Sequence, residues 1–132
     1  MAGITFWKDR ATRKIDPALF SVKAEELALT LAKEGSGKRV NKRTQIRKFY
    51  DEVLRLDAEV KARPENWDNL IPHVHMLVAK AAYAYGRALV SETFLNFIKE
   101  SVKQVSEKDD LRVFANFFEA FMGFYRQHGP AN

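Results

Sequence analysis

The 132-residue chain is 46% apolar, carries a formal net charge of +5 and contains no cysteine. That length and apolar share suit one domain with a single core. The missing cysteines exclude a disulfide framework and any thiolate-ligated zinc or iron–sulfur centre, and a reducing cytoplasm is the expected setting.

No stretch approaches the roughly 20 apolar residues of a membrane span, and Met1 to Lys8 lack the charged lead and apolar core of a secretory leader. A cytoplasmic protein with no membrane partner is expected. The charge is uneven along the chain. Through Lys48 there are 12 Lys and Arg against 5 Asp and Glu, a net of +7, whereas from Phe49 onward there are 10 against 12, a net of −2. This asymmetry points to a polyanionic partner, and to nucleic acid ahead of an anionic membrane, because no segment is strongly membrane-amphipathic.

Residues 1–15 read as a ragged basic arm preceding a single helical domain over 16–132. Asp16-Pro17 offers an N-cap followed by proline at the first helical position, and Phe20, Ala24, Leu27 and Leu31 then recur at helical spacing. Gly35-Ser36-Gly37 ends that helix. A second helix starts near Asn41 with Ile46, Phe49, Tyr50, Val53, Leu54 and Val60 on its apolar face, and Pro64 limits it. A third runs from Trp67 or Pro72 to Leu89, with Val74, Leu77, Val78, Ala81, Ala82 and Tyr85 inward. Ser91-Glu92 caps a fourth, which buries Phe94, Leu95, Ile98 and Val102. Ser106 caps a fifth, whose first turn holds Glu107, Asp109 and Asp110, where the helix dipole favours acids. This last helix presents Leu111, Phe114, Phe117, Phe118, Phe121, Met122 and Tyr125. No period-2 alternation demands a strand, and the short connections predict an all-α fold, a compact five-helix bundle.

The segment Lys38 to Lys48 holds six cations and no acid in eleven residues, across a glycine-flanked loop and a helix start. Free backbone N–H groups and the positive dipole end at a helix start favour phosphate. Cations clustered there oppose the dipole, so a compensating anion is expected; the plain alternative is a solvated charged turn. On the third helix His73, Lys80 and Arg87 recur every seven residues on one face, near Met76 and Tyr83 or Ala84. If that face packs beside the second helix, Arg43, Arg47, Lys80 and Arg87 form one groove-lining stripe; otherwise Lys80 and Arg87 are snorkelling surface side chains.

Support for catalysis is thin. His73 and His75 sit roughly 200° apart around a helix and lack the i, i+4 spacing of a zinc helix. The adjacent pairs Asp51-Glu52 and Asp109-Asp110 splay, which fits surface solvation. Gly35-Ser36-Gly37-Lys38 lacks the spacing and preceding strand of a phosphate loop. His128 reads as a helix-end cation. The aromatic stripe of the fifth helix fits a core, with a base-stacking platform or a subunit contact as the functional alternatives.

The run Thr44-Gln45-Ile46-Arg47-Lys48-Phe49-Tyr50 and the run Lys80-Ala81-Ala82-Tyr83-Ala84-Tyr85-Gly86-Arg87 resemble the small subunit of type III-A CRISPR effector complexes. The closing segment from Phe117 to Tyr125 also resembles the end of that family, and the likeness spans residues 38–128. The resemblance implies a non-catalytic five-helix bundle, without a cofactor or metal, present in several copies stacked as a minor filament along guide RNA and target RNA beside the other effector subunits. It places RNA-backbone contacts at Lys42, Arg43, Gln45, Arg47, Lys80 and Arg87, flanked by Lys38, Arg39 and Lys48. The competing reading is a helical protein-interaction module that meets its partners through the aromatic last helix and the basic patch.

Overall fold

The computed structural model describes residues 4–131, so the first three positions of the N-terminal arm and Asn132 lie outside it. Among the described residues there are five α-helices and no strand: α1 (Val22–Gly35), α2 (Arg43–Ala62), α3 (Trp67–Gly86), α4 (Glu92–Lys103) and α5 (Lys108–His128). The all-α expectation is met. No described helix is long and apolar enough to cross a membrane.

Helix α5 is the centre of the packing, with α1 and α2 laid against it and α3 packed on α2 and α4. Its aromatic stripe is core: Phe114, Phe117, Phe118, Phe121 and Tyr125 have no exposed surface. Phe97 of α4 enters this cluster, with its ring 5.3–6.1 Å from those of Phe114, Phe117, Phe118 and Phe121. Such offset and edge-to-face ring pairs add to the burial of their area. These residues are therefore unavailable as a stacking platform, and the interaction-module reading loses the aromatic surface on which it depended.

Several helix starts differ from the sequence reading for identifiable reasons. The Asp16 side chain accepts from the Ala18 N–H at 3.0 Å, but it caps a 3-10 turn over Pro17–Phe20, and α1 begins only at Val22. Helix α2 begins at Arg43 because Asn41 has φ 63°, a left-handed conformation that cannot open a helix. Helix α3 runs through Pro72, its sixth residue. The N-cap of α5 is Glu107 rather than Ser106, in a capping box completed by Asp110. Asp110 is thus no solvated acid. It is fully buried, and it accepts from the Ser106 and Glu107 N–H groups at 2.9 and 2.8 Å.

The buried stripe of α3 is Leu70, Val74, Leu77, Ala81 and Ala84. Ala82 and Tyr85, expected inward, are exposed instead, because a stripe that closes on Ala84 turns both away from the core. Helix α3 therefore shows water a face that includes Met76, Tyr83 and Tyr85, at 51%, 67% and 43% exposure.

Residues 4–15 pack onto the bundle rather than trailing from it. Phe6 is fully buried and stacks on Phe114, and Gln104 of the α4–α5 turn holds both the Phe6 N–H (2.8 Å) and the Ile4 carbonyl (2.5 Å). Trp7 Nε1 donates to Asp110 at 2.7 Å, Arg10 pairs with Asp110 at 3.0 Å, and Arg13 pairs with Asp109 at 2.6 Å. Burial alone raises the Asp110 pKa, but the donors from Ser106, Trp7, Glu107 and Arg10 outweigh it and hold the carboxyl below its usual range.

Asn41 joins distant parts of the chain. Its side-chain Nδ2 donates to the Leu31 carbonyl at the end of α1 and to Ser91 Oγ, its Oδ1 accepts from the Ser91 N–H at 2.8 Å, and its own N–H donates to the Leu89 carbonyl at 3.0 Å. Tyr125 of α5 donates its hydroxyl to the Asn41 carbonyl. Burial, with the Glu34 carboxylate second, pushes that phenol up to about 12, so it remains a donor at neutral pH. Gly35 allows the loop to close on α1, since a Cβ there would lie 2.6 Å from the Val40 carbonyl oxygen.

Replacing Asn41 by alanine leaves the part-buried Ser91 N–H without its acceptor, removes the amide bridge from Leu31 to Ser91, and keeps a β-carbon in left-handed backbone without the side-chain bonds that hold it there. A loss of about 3 kcal/mol is expected, seen as a melting temperature lower by roughly 10 °C in calorimetry; a variant that melts with the wild type would refute the role given to this residue.

Candidate functional site

The cations of the basic segment stand on a loop and a helix start whose positions are set by Asn41. Lys38 and Arg39 are exposed on the loop, Lys42 is the N-cap of α2, and Gln45, Arg47 and Lys48 lie in its first turns. The N-cap residue Lys42 has no side-chain acceptor, and the amide of the preceding Asn41 is spent on Leu31 and Ser91, so no side chain caps that helix start. The first turn of α2 also lacks an acid. Its opening N–H groups and adjacent cations form a positive end with no carboxylate in that turn to neutralise it.

From here the cations divide between the two flanks of α2. On the flank facing α3, Gln45, Lys48 and Glu52 meet Lys80 and Tyr83 around a groove of about 330 Å³ floored by Phe49, Leu77 and Ala84. Arg87, at the C-cap of α3, places its guanidinium 5.7 Å from the centre of the Tyr83 ring, within cation–π range. Because Asn41 is hydrogen-bonded to Leu89, two residues beyond Arg87, the end of α3 and the basic loop lie at the same end of the bundle.

On the other flank, Arg43 donates to the Ala131 carbonyl at 2.6 Å, and Arg47 lies 3.9 Å from Asp51. Lys38 and Lys42 line a second cleft, with Gly35, Gly37, His128 and Pro130, between the basic loop and the end of the chain. His128 faces Glu25 at 2.9 Å. The sequence-stripe of Arg43, Arg47, Lys80 and Arg87 is thus split. One turn of helix places Arg43 and Arg47 together, but on the side of α2 that carries Tyr50 and Asp57 against α5, whereas the α2 side chains that share the groove with Lys80 are Gln45, Lys48 and Glu52.

The groove also contains an acid that the sequence reading assigned to solvation. Glu52 is half-buried, takes a forked pair of hydrogen bonds from Arg55 at 3.0 and 2.9 Å, and lies 3.6 Å from Lys80. The Arg55 bonds hold its carboxyl below the usual range against the upward pull of burial, with Lys80 assisting. Lys80 is therefore pre-positioned at the groove by a neighbouring charge, with its side chain still half exposed. Tyr83, which the sequence reading did not assign a role, was signalled by its spacing: it is three residues after Lys80 and four before Arg87, on one helical face.

His73 and His75 are both exposed on α3, and among the described residues no group of three or more His, Asp or Glu side chains gathers to hold a metal ion. The arrangement is suited to holding an extended anion: lysines and arginine at the rim, an apolar floor, and a helix start with unsatisfied N–H groups at one end.

Fold and groove together define a small all-helical domain with a cationic groove at one end. A family model described as Csm2 Type III-A matches residues 16–131, and the chain belongs to that family, the small subunit of the type III-A CRISPR effector complex. A search of curated proteins and a search of solved structures each returned no match.

The Glu52 carboxylate holds Arg55 of its own helix and faces Lys80 of α3 only while ionised. Its lowered folded pKa gives stability that is complete above the ordinary value of 4.5 and is lost as pH falls through the folded value. Urea unfolding between pH 6 and about pH 3 should show a shallower acid limb for Glu52→Gln than for the wild type; identical limbs would remove the ion pair from the account.

Proposed function

We propose that this subunit binds the sugar–phosphate backbone of guide RNA and target RNA without reading sequence, performs no catalysis itself, and works in the cytoplasm in several copies side by side within the effector complex. The observation that carries the proposal is the convergence of Gln45, Lys48 and Lys80 on one groove beside a basic loop, with Arg87 next to the groove's Tyr83. Membership of the family supplies the complex and its other subunits as the setting.

A subunit that must serve any guide has to hold what every guide shares. Phosphate and ribose contacts position a strand without specifying it, and charged lysine and forked arginine donors suit that task. Gln45, half-buried at the groove, has the donor and acceptor that a ribose 2′-hydroxyl requires. Lys42, Lys38 and Arg39 extend the positive field along the loop. Arg43 and Arg47 serve the same strand from the far flank of α2, or a second strand alongside it. With only a few phosphates neutralised per copy, a single subunit binds weakly, and strength comes from copies linked by the complex.

Alanine at Lys48, Lys80 and Arg87 together should lower single-stranded RNA affinity at low salt by at least about tenfold and reduce the slope of log K against log salt by about 2, at about 0.7 per phosphate contact on a single strand. Fluorescence anisotropy across a salt series measures both, with circular dichroism to confirm the fold. Unchanged affinity and slope in a folded triple variant would exclude the groove.

A further inference from the structure

We infer that Tyr83 is a stacking platform that receives one unpaired RNA base at the mouth of the α2–α3 groove, an inference that rests on the RNA-binding reading above and adds a base contact to its backbone contacts. Tyr83 is the most exposed large hydrophobic side chain among the described residues, at 67%, although it lies on a helix whose opposite stripe is core. It lines the same groove as Lys48 and Lys80. A base seated on its ring therefore brings its own phosphate within the field of those two lysines.

The Arg87 guanidinium lies over one face of the tyrosine, 5.7 Å from the ring centre, and with the residue 67% exposed the opposite face is the one a base would use. Arg87 braces the ring and places a third positive charge beside the base. Glu52 sets the polarity of the site: its carboxylate lies in the groove, 3.6 Å from Lys80, so a phosphate is kept to the lysine-bearing rim and the uncharged base is the part admitted toward Phe49, Leu77 and Ala84. That floor offers no side-chain hydrogen bond, and stacking on an aromatic face accepts any base, so the subsite is as indifferent to sequence as the backbone contacts are. A base already paired and stacked in a duplex presents no free face, so the subsite distinguishes an unpaired nucleotide from a paired one.

The test compares three RNAs of equal length, a single strand, an abasic ribose-phosphate strand and a duplex, against wild type, Tyr83→Ala, Tyr83→Phe and Tyr83→Trp. The exposure of Tyr83 means that these variants retain the fold, which circular dichroism checks. Tyr83→Ala should weaken the single strand about five- to tenfold while leaving the abasic strand and the duplex unchanged, and Phe and Trp should bind the single strand as the wild type does. Equal affinity of Tyr83→Ala and wild type for the single strand overturns the inference, as does an equal loss on the abasic strand. In both cases the RNA-binding reading stands if Lys48→Ala and Lys80→Ala still weaken all three RNAs. If the wild type binds none of the three, both readings fall.

Discussion

A single buried asparagine ties its own loop to three other parts of this chain. Asn41 is bonded to the end of α1 through Leu31, to the α3–α4 turn through Leu89 and Ser91, and to α5 through Tyr125. A buried polar side chain costs stability unless its donors and acceptors are matched, and here the amide oxygen, the amide nitrogen, the backbone N–H and the backbone carbonyl all have partners. Ser91 in turn donates to Glu34, which also accepts from Thr93, so the start of α4 is fastened to the end of α1 by the same network. The consequence for function is positional. The loop with Lys38 and Arg39, the start of α2 and the end of α3 with Arg87 are fixed to one another by hydrogen bonds rather than by burial of their own exposed cations.

The two basic regions of the sequence have different fates. Arg10 and Arg13 in the N-terminal segment face Glu107, Asp109 and Asp110 at the start of α5, so their charge is matched inside the fold and serves to dock Phe6 and Trp7. The groove between α2 and α3 keeps an excess: one carboxylate, Glu52, stands among Lys48, Lys80 and the nearby Arg87, and Arg55 already engages it. Surface ion pairs of this kind contribute little to stability, and their cations remain available to another anion. A positive end of this kind supports placement of the subunit along a polyanion.

The helices were legible because their apolar periods are strong, and the aromatic residues of α5 were correctly read as core from spacing alone. Boundaries were not, and the reasons are local. Asn41 reads as a helix opener, but its left-handed backbone is imposed by partners 10, 50 and 84 residues away, which no window on the sequence contains. Asp110 reads as a surface acid beside Asp109 and is instead enclosed by the N-terminal segment, again a long-range contact. At the candidate site, the residue types and the two segments were legible, as was the pairing of α2 with α3. The flank of α2 was not: Arg43 and Arg47 share a helical face, and only the packing of Tyr50 and Asp57 on α5 shows that this face turns from Lys80.

The central claim is that RNA lies against the groove end of the subunit, along the start of α2 and the last turns of α3. Photo-cross-linking with thiouridine-substituted guide and target RNA in the assembled complex, mapped by mass spectrometry of this subunit, tests it most directly. The account predicts cross-linked peptides containing residues 38–48 and 80–87. Cross-links confined to α4 or to the outer face of α5 would contradict it.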